Sequence, residues 1–299
     1  MSRLTDTLIT ALTPIIWGST YITTSQFLPD GYPLHAALLR SLPAGLILLA
    51  VTRVLPSRDW LWKLAVLGGL NFSLFFTLLF VAAYRLPGGV AATVGAVQPL
   101  IVLLLARVML SATLRPAAIA AALAGLIGVG MLVLGPQARL DPIGVIAALA
   151  GALSMAAGVV LTRRWQPSVS PLAFTAWQLT AGGLLLLPVT LVLEPALPRL
   201  TTQNIAGYLW LGVVGGALAY FLWFRGIARL GPSGVTGLGF VSPLSAILLG
   251  WLALSEVLTP LQIAGALVVL ASVWASSRAA RPAQAPTAQA PAPQAPERP

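Results

Sequence analysis

The chain contains one stretch of itself twice. Arg85-Leu86 falls on Arg229-Leu230, Pro99-Leu100 on Pro243-Leu244, Ser111 on Ser255, Pro116 on Pro260 and Ile119 on Ile263, all at a shift of 144 positions. Earlier in each copy the shift relaxes to 138, so that Pro33-Leu34 meets Pro171-Leu172 and Gly45 meets Gly183. Internal repetition on this scale means two copies of one structural unit. Each copy reads as five apolar spans, and an odd number of spans forces the second copy to insert upside down relative to the first. Inverted repeats of this kind are a transporter signature.

That each copy lies in a membrane follows from the apolar load. Hydrophobic residues make up 58% of the 299 and charged residues 8%, with a mean hydropathy of +0.92; a soluble domain carries about 25% charged residues. Spans are expected near 5–27, 32–52, 60–84, 87–110, 116–134, 142–162, 170–192, 204–228, 232–252 and 259–277. These runs are too long and too uniformly apolar for barrel strands. The expected fold is therefore an all-α polytopic membrane protein of ten transmembrane helices in two inverted five-helix repeats, residues 1–136 and 137–278. The Ala, Pro and Gln composition of 279–299 predicts a disordered cytoplasmic tail. The first apolar stretch is longer than a signal h-region and lacks a small-x-small cleavage site, so it reads as the first span.

The net charge of +10 does not point to nucleic acid, because the basic residues are scattered singly between spans. Membrane topology explains them. With alternate loops on alternate sides, Arg3, Arg53, Arg58, Lys63, Arg107, Arg115, Arg163, Arg164, Arg225, Arg229, Arg278, Arg281 and Arg298 share one side, and Arg85, Arg139 and Arg199 the other. That bias puts both termini in the cytoplasm. There is no cysteine, so thiolate chemistry and disulfides are excluded.

Trp17-Gly-Ser-Thr-Tyr21, Leu39-Arg40 ahead of a Leu-rich run, and Ser255-Glu-Val-Leu-Thr259 leading to Gln262 and Gly265-Ala266 resemble the EamA-type drug/metabolite transporter superfamily over roughly residues 5–277. The resemblance implies ten helices in two inverted repeats, and within the superfamily the chain is most similar to bacterial exporters of aromatic and other neutral amino acids. One departure stands out: Ser111-Ala112 occupies the place where many relatives carry Gly-Glu, which argues against an essential role for the loop glutamate.

Several in-span groups are candidates for substrate binding. Pro99 and Pro243 are repeat equivalents near mid-span, where a proline leaves the carbonyl four residues back, Gly95 or Gly239, without its usual partner. Either a cavity with water or a substrate ammonium meets those carbonyls, or the prolines are packing kinks. Gln98 and Ser242 sit beside them, on a stripe of small residues that otherwise means close helix contact. Thr13, Trp17, Thr20, Tyr21 and Thr24 form one polar face of the first span, lining a cavity or bonding back to their own helix. Asn71, Phe75 and Phe76 on the third span and Tyr220 and Trp223 on the eighth offer aromatic faces with polar tips, for an apolar cargo or for the bundle interior. Arg40 is the most costly residue in any span; it attracts a substrate carboxylate, or it snorkels or caps a neighbouring helix. His35, the only histidine, is expected near the surface, and Glu256 as a cap of the last helix.

The absences set the mechanism. No Asp or Glu falls in the expected core of a span, and there is no Walker motif, paired aspartate or histidine cluster. An intramembrane enzyme, direct ATP use and carboxylate-based proton or sodium coupling therefore lack their groups. With the cargo and direction that the resemblance implies, the expectation is a facilitative exporter of neutral amino acids working by alternating access; the alternatives are an exporter of other small metabolites or drugs with proton coupling, and a passive channel. The chain has no catalytic residue, cofactor, metal, nucleic-acid partner or obligate protein partner; its partners are the small-molecule substrate and the lipid bilayer.

Overall fold

A computed structural model describes residues 3–111, 116–133, 140–230, 238–239, 241–256 and 258–279. Arg115, Arg139, Arg281, Arg298, the boundary at 136/137 and the expected tail from 280 onward lie outside the described residues. Those described contain helices and no strand. In order they are α1 (Arg3–Gly18), α2 (Thr20–Phe27), α3 (Pro33–Thr52), α4 (Leu61–Gly68), α5 (Phe75–Arg85), α6 (Gly88–Gly95), α7 (Gln98–Leu110), α8 (Pro116–Val133), α9 (Pro142–Arg164), α10 (Pro171–Leu193), α11 (Thr202–Leu209), α12 (Ala219–Leu230), α13 (Val241–Leu254) and α14 (Pro260–Ala279).

Several of these join into longer rods. Six are long and apolar enough to cross a membrane: Pro33–Thr52, Arg58–Arg85, Gly88–Leu110, Pro142–Arg164, Pro171–Leu193 and Thr202–Leu230. Ile119–Met131, Val241–Leu254 and Pro260–Ser272 are shorter apolar helices over their described residues. The first expected span is two helices that meet at Ser19, whose Oγ donates to Ile16 O at 2.7 Å. The outer surface settles the solvent: Val108, Val192, Leu191 and Leu193 are each more than two-thirds exposed, as are Leu55, Leu4 and Leu252. Side chains of that size belong against hydrocarbon, and the chain is a polytopic membrane protein.

Close packing between rods runs through glycines. A Cβ at Gly45 would lie 2.5 Å from Thr180 N, and one at Gly183 would lie 2.6 Å from Leu42 Cβ. As Gly45 meets Thr180 and Leu42 meets Gly183, α3 and α10 run antiparallel. Under the 138-residue shift the two contacts exchange, so one contact is made twice. α8 and α14 are likewise antiparallel: Gly128 faces Gly265 O and Val269 N, while Gly125 faces Ser272. Without a hydrophobic drive between helices in lipid, backbone contact of this kind supplies the association energy.

Two further features recur at the 144-residue shift. Ser111 and Ser255, which end α7 and α13, both take left-handed backbone angles, with φ 53 and 54. Wide π-helical turns occur at Gly69–Leu74 and Trp210–Leu218. A π turn leaves a carbonyl short of its usual donor, and at each turn a side chain from a distant helix supplies one. Ser154 Oγ donates to Leu70 O at 2.7 Å, and Trp17 Nε1 donates to Gly215 O at 3.1 Å.

The loop face that carries Pro29 is tied between the two parts of the chain. Glu194 accepts the first amides of α3, from Leu34 at 2.9 Å and His35 at 2.8 Å, and its Oε2 also contacts His35 Nδ1. His35 is therefore a half-buried partner and not the surface group expected. Glu256 accepts from Gly88 N at 3.2 Å, so it caps α6 and not the last helix; the loop at Ser255 folds back over Gly250 instead of forward onto α14. Asn204 and Gln203 donate to Phe27 O and Gln26 O, and Arg85 pairs with Asp141 at 2.6 Å.

Asp141 also caps α9 by accepting from Ile143 N, and the hydrogen bond from Arg85 holds its carboxyl below the usual range. A depressed carboxylate contributes stability above the unfolded value, about pH 4, and loses it as pH falls through the lower folded value. Asp141→Asn is therefore expected to lower the melting temperature slightly at pH 7, and the difference from the parent should shrink as the pH falls below about 4. Thermal unfolding of the detergent-solubilised protein from pH 7 downward is the check; a difference that does not shrink below about pH 4 would contradict it.

Candidate substrate site between the two halves

The polar face of α1 and α2 points inward. Thr13, Thr20 and Thr24 are at most 2% exposed. Thr24 bonds back to Thr20 O, but Thr13 Oγ1 reaches across to Ala219 O at 3.1 Å. Beside them Trp17 packs against Tyr220 and Trp223, with ring centroids 5.4 and 5.5 Å away. Phe72 joins Tyr220 to Phe76, and Phe75 adjoins Phe76 at 5.5 Å. The expected aromatic residues thus converge in one layer between the two parts of the chain.

Arg40 is set into that layer. It is 4% exposed, so it does not snorkel. Its Nη1 donates to Thr20 Oγ1 at 2.9 Å, and its guanidinium carbon stands 4.7 Å from the Phe76 ring centroid and 5.9 Å from that of Phe80. Tyr21 and Tyr220 lie within reach of its charge.

Tyr21 borders two small cavities of about 260 Å³ each. One, toward the Pro29 face, is lined by Tyr21, Ser25, Gly88, Gly250 and Glu256 among others. The second lies deeper, with Tyr21, Phe75, Gly95, Ala148, Gly151 and Ala152 in its wall. A Cβ at Gly95 or at its equivalent Gly239 would meet nothing within 4 Å. These glycines border open space, whereas nearly every other glycine is in contact.

Pro99 does more than kink its rod. The chain breaks at Ala96-Val97 between α6 and α7, Leu100 N reaches Val97 O at 2.9 Å, and Pro99 occupies the first turn of the new helix. Gln98 starts α7, half-buried. Pro243 lies in α13 two residues after Val241; residues 231–237 and 240 of that expected span lie outside the described residues. Ser242 is half-buried there, and its carbonyl would lie 2.5 Å from a Cβ at Gly18.

Asn71 is placed elsewhere. Its amide donates to Gln178 Oε1 at 2.7 Å and to Thr162 Oγ1 at 3.1 Å, and it is tucked against Gly158. This polar knot joins α9, α10 and the first π turn, away from the walls of both cavities. Sequence inspection also missed Gln178's role as its acceptor and Glu256's place in a cavity wall. The only signal for the first was that Gln178 is the repeat equivalent of Arg40.

The profile of the EamA-like transporter family matches the chain twice, at residues 6–134 and 142–278. The chain belongs to that family. It is therefore a transporter and not an enzyme. Protein PecM of Dickeya dadantii is 47% identical over 262 residues, 87% of this chain and 88% of PecM. The uncharacterized inner membrane transporter YedA of Escherichia coli K12 is 32% identical over 243 residues, 79% of this chain and 78% of YedA. The uncharacterized transporter YvbV of Bacillus subtilis is 27% identical over 274 residues, covering 89% of each chain. A solved crystal structure shares the fold with a TM-score of 0.64 at 23% identity, over 93% of this chain and 98% of that one.

Proposed function

We propose that this EamA-family transporter exports neutral amino acids, aromatic ones included, across the bacterial inner membrane by uncoupled alternating access. In this reading residues 1–136 and 137–278 are inverted five-helix repeats, making ten spans with both termini in the cytoplasm. Support for inversion comes from the antiparallel contacts of α3 with α10 and of α8 with α14. The observation that carries the function is the layer between the halves: Trp17, Phe75 and Tyr220 provide faces for an apolar side chain, and Tyr21 and Gly95 border the deeper cavity.

Gln98, Ser242 and the Gly95 and Gly239 carbonyls offer neutral partners for the ammonium. Asn71 acts from outside the cavity, holding α9 and α10 to the π turn. Carboxylate ties join the halves on both faces, through Glu194 and Asp141 on the Pro29 face and through Asp6 and Arg225 on the face of the N-terminus. A second reading, proton coupling, rests on Glu256, whose carboxylate lines the cavity next to Tyr21.

Uptake into proteoliposomes tests the proposal, with radiolabelled phenylalanine, tryptophan, leucine, alanine, glutamate, a nucleoside and a cationic dye and no imposed gradient. The expected result is saturable uptake of the neutral amino acids. Uptake only under a proton gradient, lost in Glu256→Gln, would replace the uncoupled mechanism with the second reading. Movement of the dye alone would overturn the substrate assignment, and non-saturable flux would indicate a channel.

A further inference from the structure

We infer that Arg40 is the anion-binding group of the transport site, and that the cargo is defined by a carboxylate more than by its ammonium. The inference rests on reading the layer between the halves as the transport site. A guanidinium deep in a membrane protein is normally offset by an acid or by backbone carbonyls. Arg40 has one hydroxyl, from Thr20, and two aromatic faces, and its Nε has no hydrogen-bond partner. Among the described residues no acid serves it. Asp6 pairs with Arg225, Asp141 with Arg85 and Glu194 with His35. Glu256 accepts from Gly88 N, while Asp30 and Asp59 are exposed at helix ends.

The positive charge therefore lacks a countercharge of its own, at a place where one is worth most. Tyr21, which its charge reaches, borders both cavities. The planar fork suits a carboxylate in two-point contact, and the tilted and edge-to-face rings of Phe76, Phe72, Tyr220 and Trp17 continue from it to receive an apolar group. At the equivalent position Gln178 is neutral and already bonded to Asn71, so the charge is a property of one half only. A cationic amine without a carboxylate is repelled by this arrangement.

The test is binding to the purified full-length protein in lipid nanodiscs at pH 7, read by tryptophan fluorescence. Three probes share one ring: phenylalanine, phenylacetate, which lacks the ammonium, and phenethylamine, which lacks the carboxylate. Phenylalanine and phenylacetate are expected to bind at least about 30-fold more tightly than phenethylamine, the factor typical of a hydrogen bond to a buried charge. Arg40→Gln installs the residue found at the repeat equivalent and should fold; it is expected to erase that preference. Arg40→Lys keeps the charge without the fork and should retain part of it, which separates charge from misfolding. If phenylacetate binds and phenylalanine does not, Arg40 keeps its assignment and the amino acid reading fails. If phenethylamine binds as well as phenylalanine and Arg40→Gln changes neither, the amino acid reading survives and the Arg40 inference is overturned. Protection by chloride with none by phenylacetate would also overturn it, leaving a site for inorganic anions.

Discussion

A leucine at Gly95 is expected to leave the protein folded and stop transport. Gly95 ends α6, just before the break at Ala96-Val97, and a side chain there would enter open space beside Tyr21 and Phe75. The fold loses nothing, and replacing a helical glycine gains helix propensity. The cavity is small, however, and a leucine occupies the space the cargo needs. Even 1.4 kcal/mol of overlap in the loaded state corresponds to about tenfold in occupancy, and overpacking of a methylene-sized group costs about 1–3 kcal/mol. Phenylalanine uptake should therefore fall by more than about tenfold, while the size-exclusion profile and melting temperature stay those of the parent. Normal uptake by this variant would move the route away from α6.

A leucine at Gly45 is expected to do the opposite and prevent folding. A Cβ there would lie 2.5 Å from Thr180 N and 2.6 Å from Thr180 Oγ1. The obstruction is backbone, so no rotamer change relieves it. α3 and α10 would have to separate, and the same contact at Gly183 against Leu42 would open with it. The cost is about 3 kcal/mol or more, enough to remove most folded protein at the margins typical of single chains. The measurement is the yield of monodisperse, detergent-solubilised protein, with Gly69→Ala as the control, since a Cβ at Gly69 would come no closer than 3.8 Å to its neighbour. A well-folded leucine variant would show that the two helices are not held by backbone contact.

Both variants replace a glycine in an apolar rod by the same residue, and the local sequence does not say which of the two is packed against backbone. Gly45 announced itself only through its repeat partner Gly183. Gly95 was legible as a possible cavity residue through Pro99, four residues on, although the break falls at Ala96-Val97 and not at the proline. Aromatic convergence was legible, because Phe76 and Tyr220 fall on each other, but Gln178 and Thr162, the partners of Asn71, were not. Asn71 sits one residue before Phe72, which joins the aromatic layer, yet it turns to the opposite side. Helical periodicity does assign those two residues to different faces; the widened π turn and the neighbours supplied by α9 and α10 decide which face meets the cavity.

The acidic residues show the same limit. Each of those described lies near a helix end or in a loop, as its cost in lipid predicts. Which end it serves was not legible: Glu256 closes over α6, and Glu194 crosses to the start of α3. Both contacts join residues more than 150 positions apart, and no local pattern encodes a partner at that separation.

By itself the sequence determined that the chain is helical, crosses the membrane several times and repeats internally, since hydropathy and repetition are properties of the chain that survive any packing. Tertiary structure alone decided which polar groups face one another. Arg40 is costly in any membrane helix; it becomes an anion site only because Thr20, Phe76 and Tyr220 arrive from three other rods and no carboxylate arrives with them. In a bundle whose exterior is hydrocarbon, long-range packing determines whether a buried charge is satisfied by the protein or waits for a ligand.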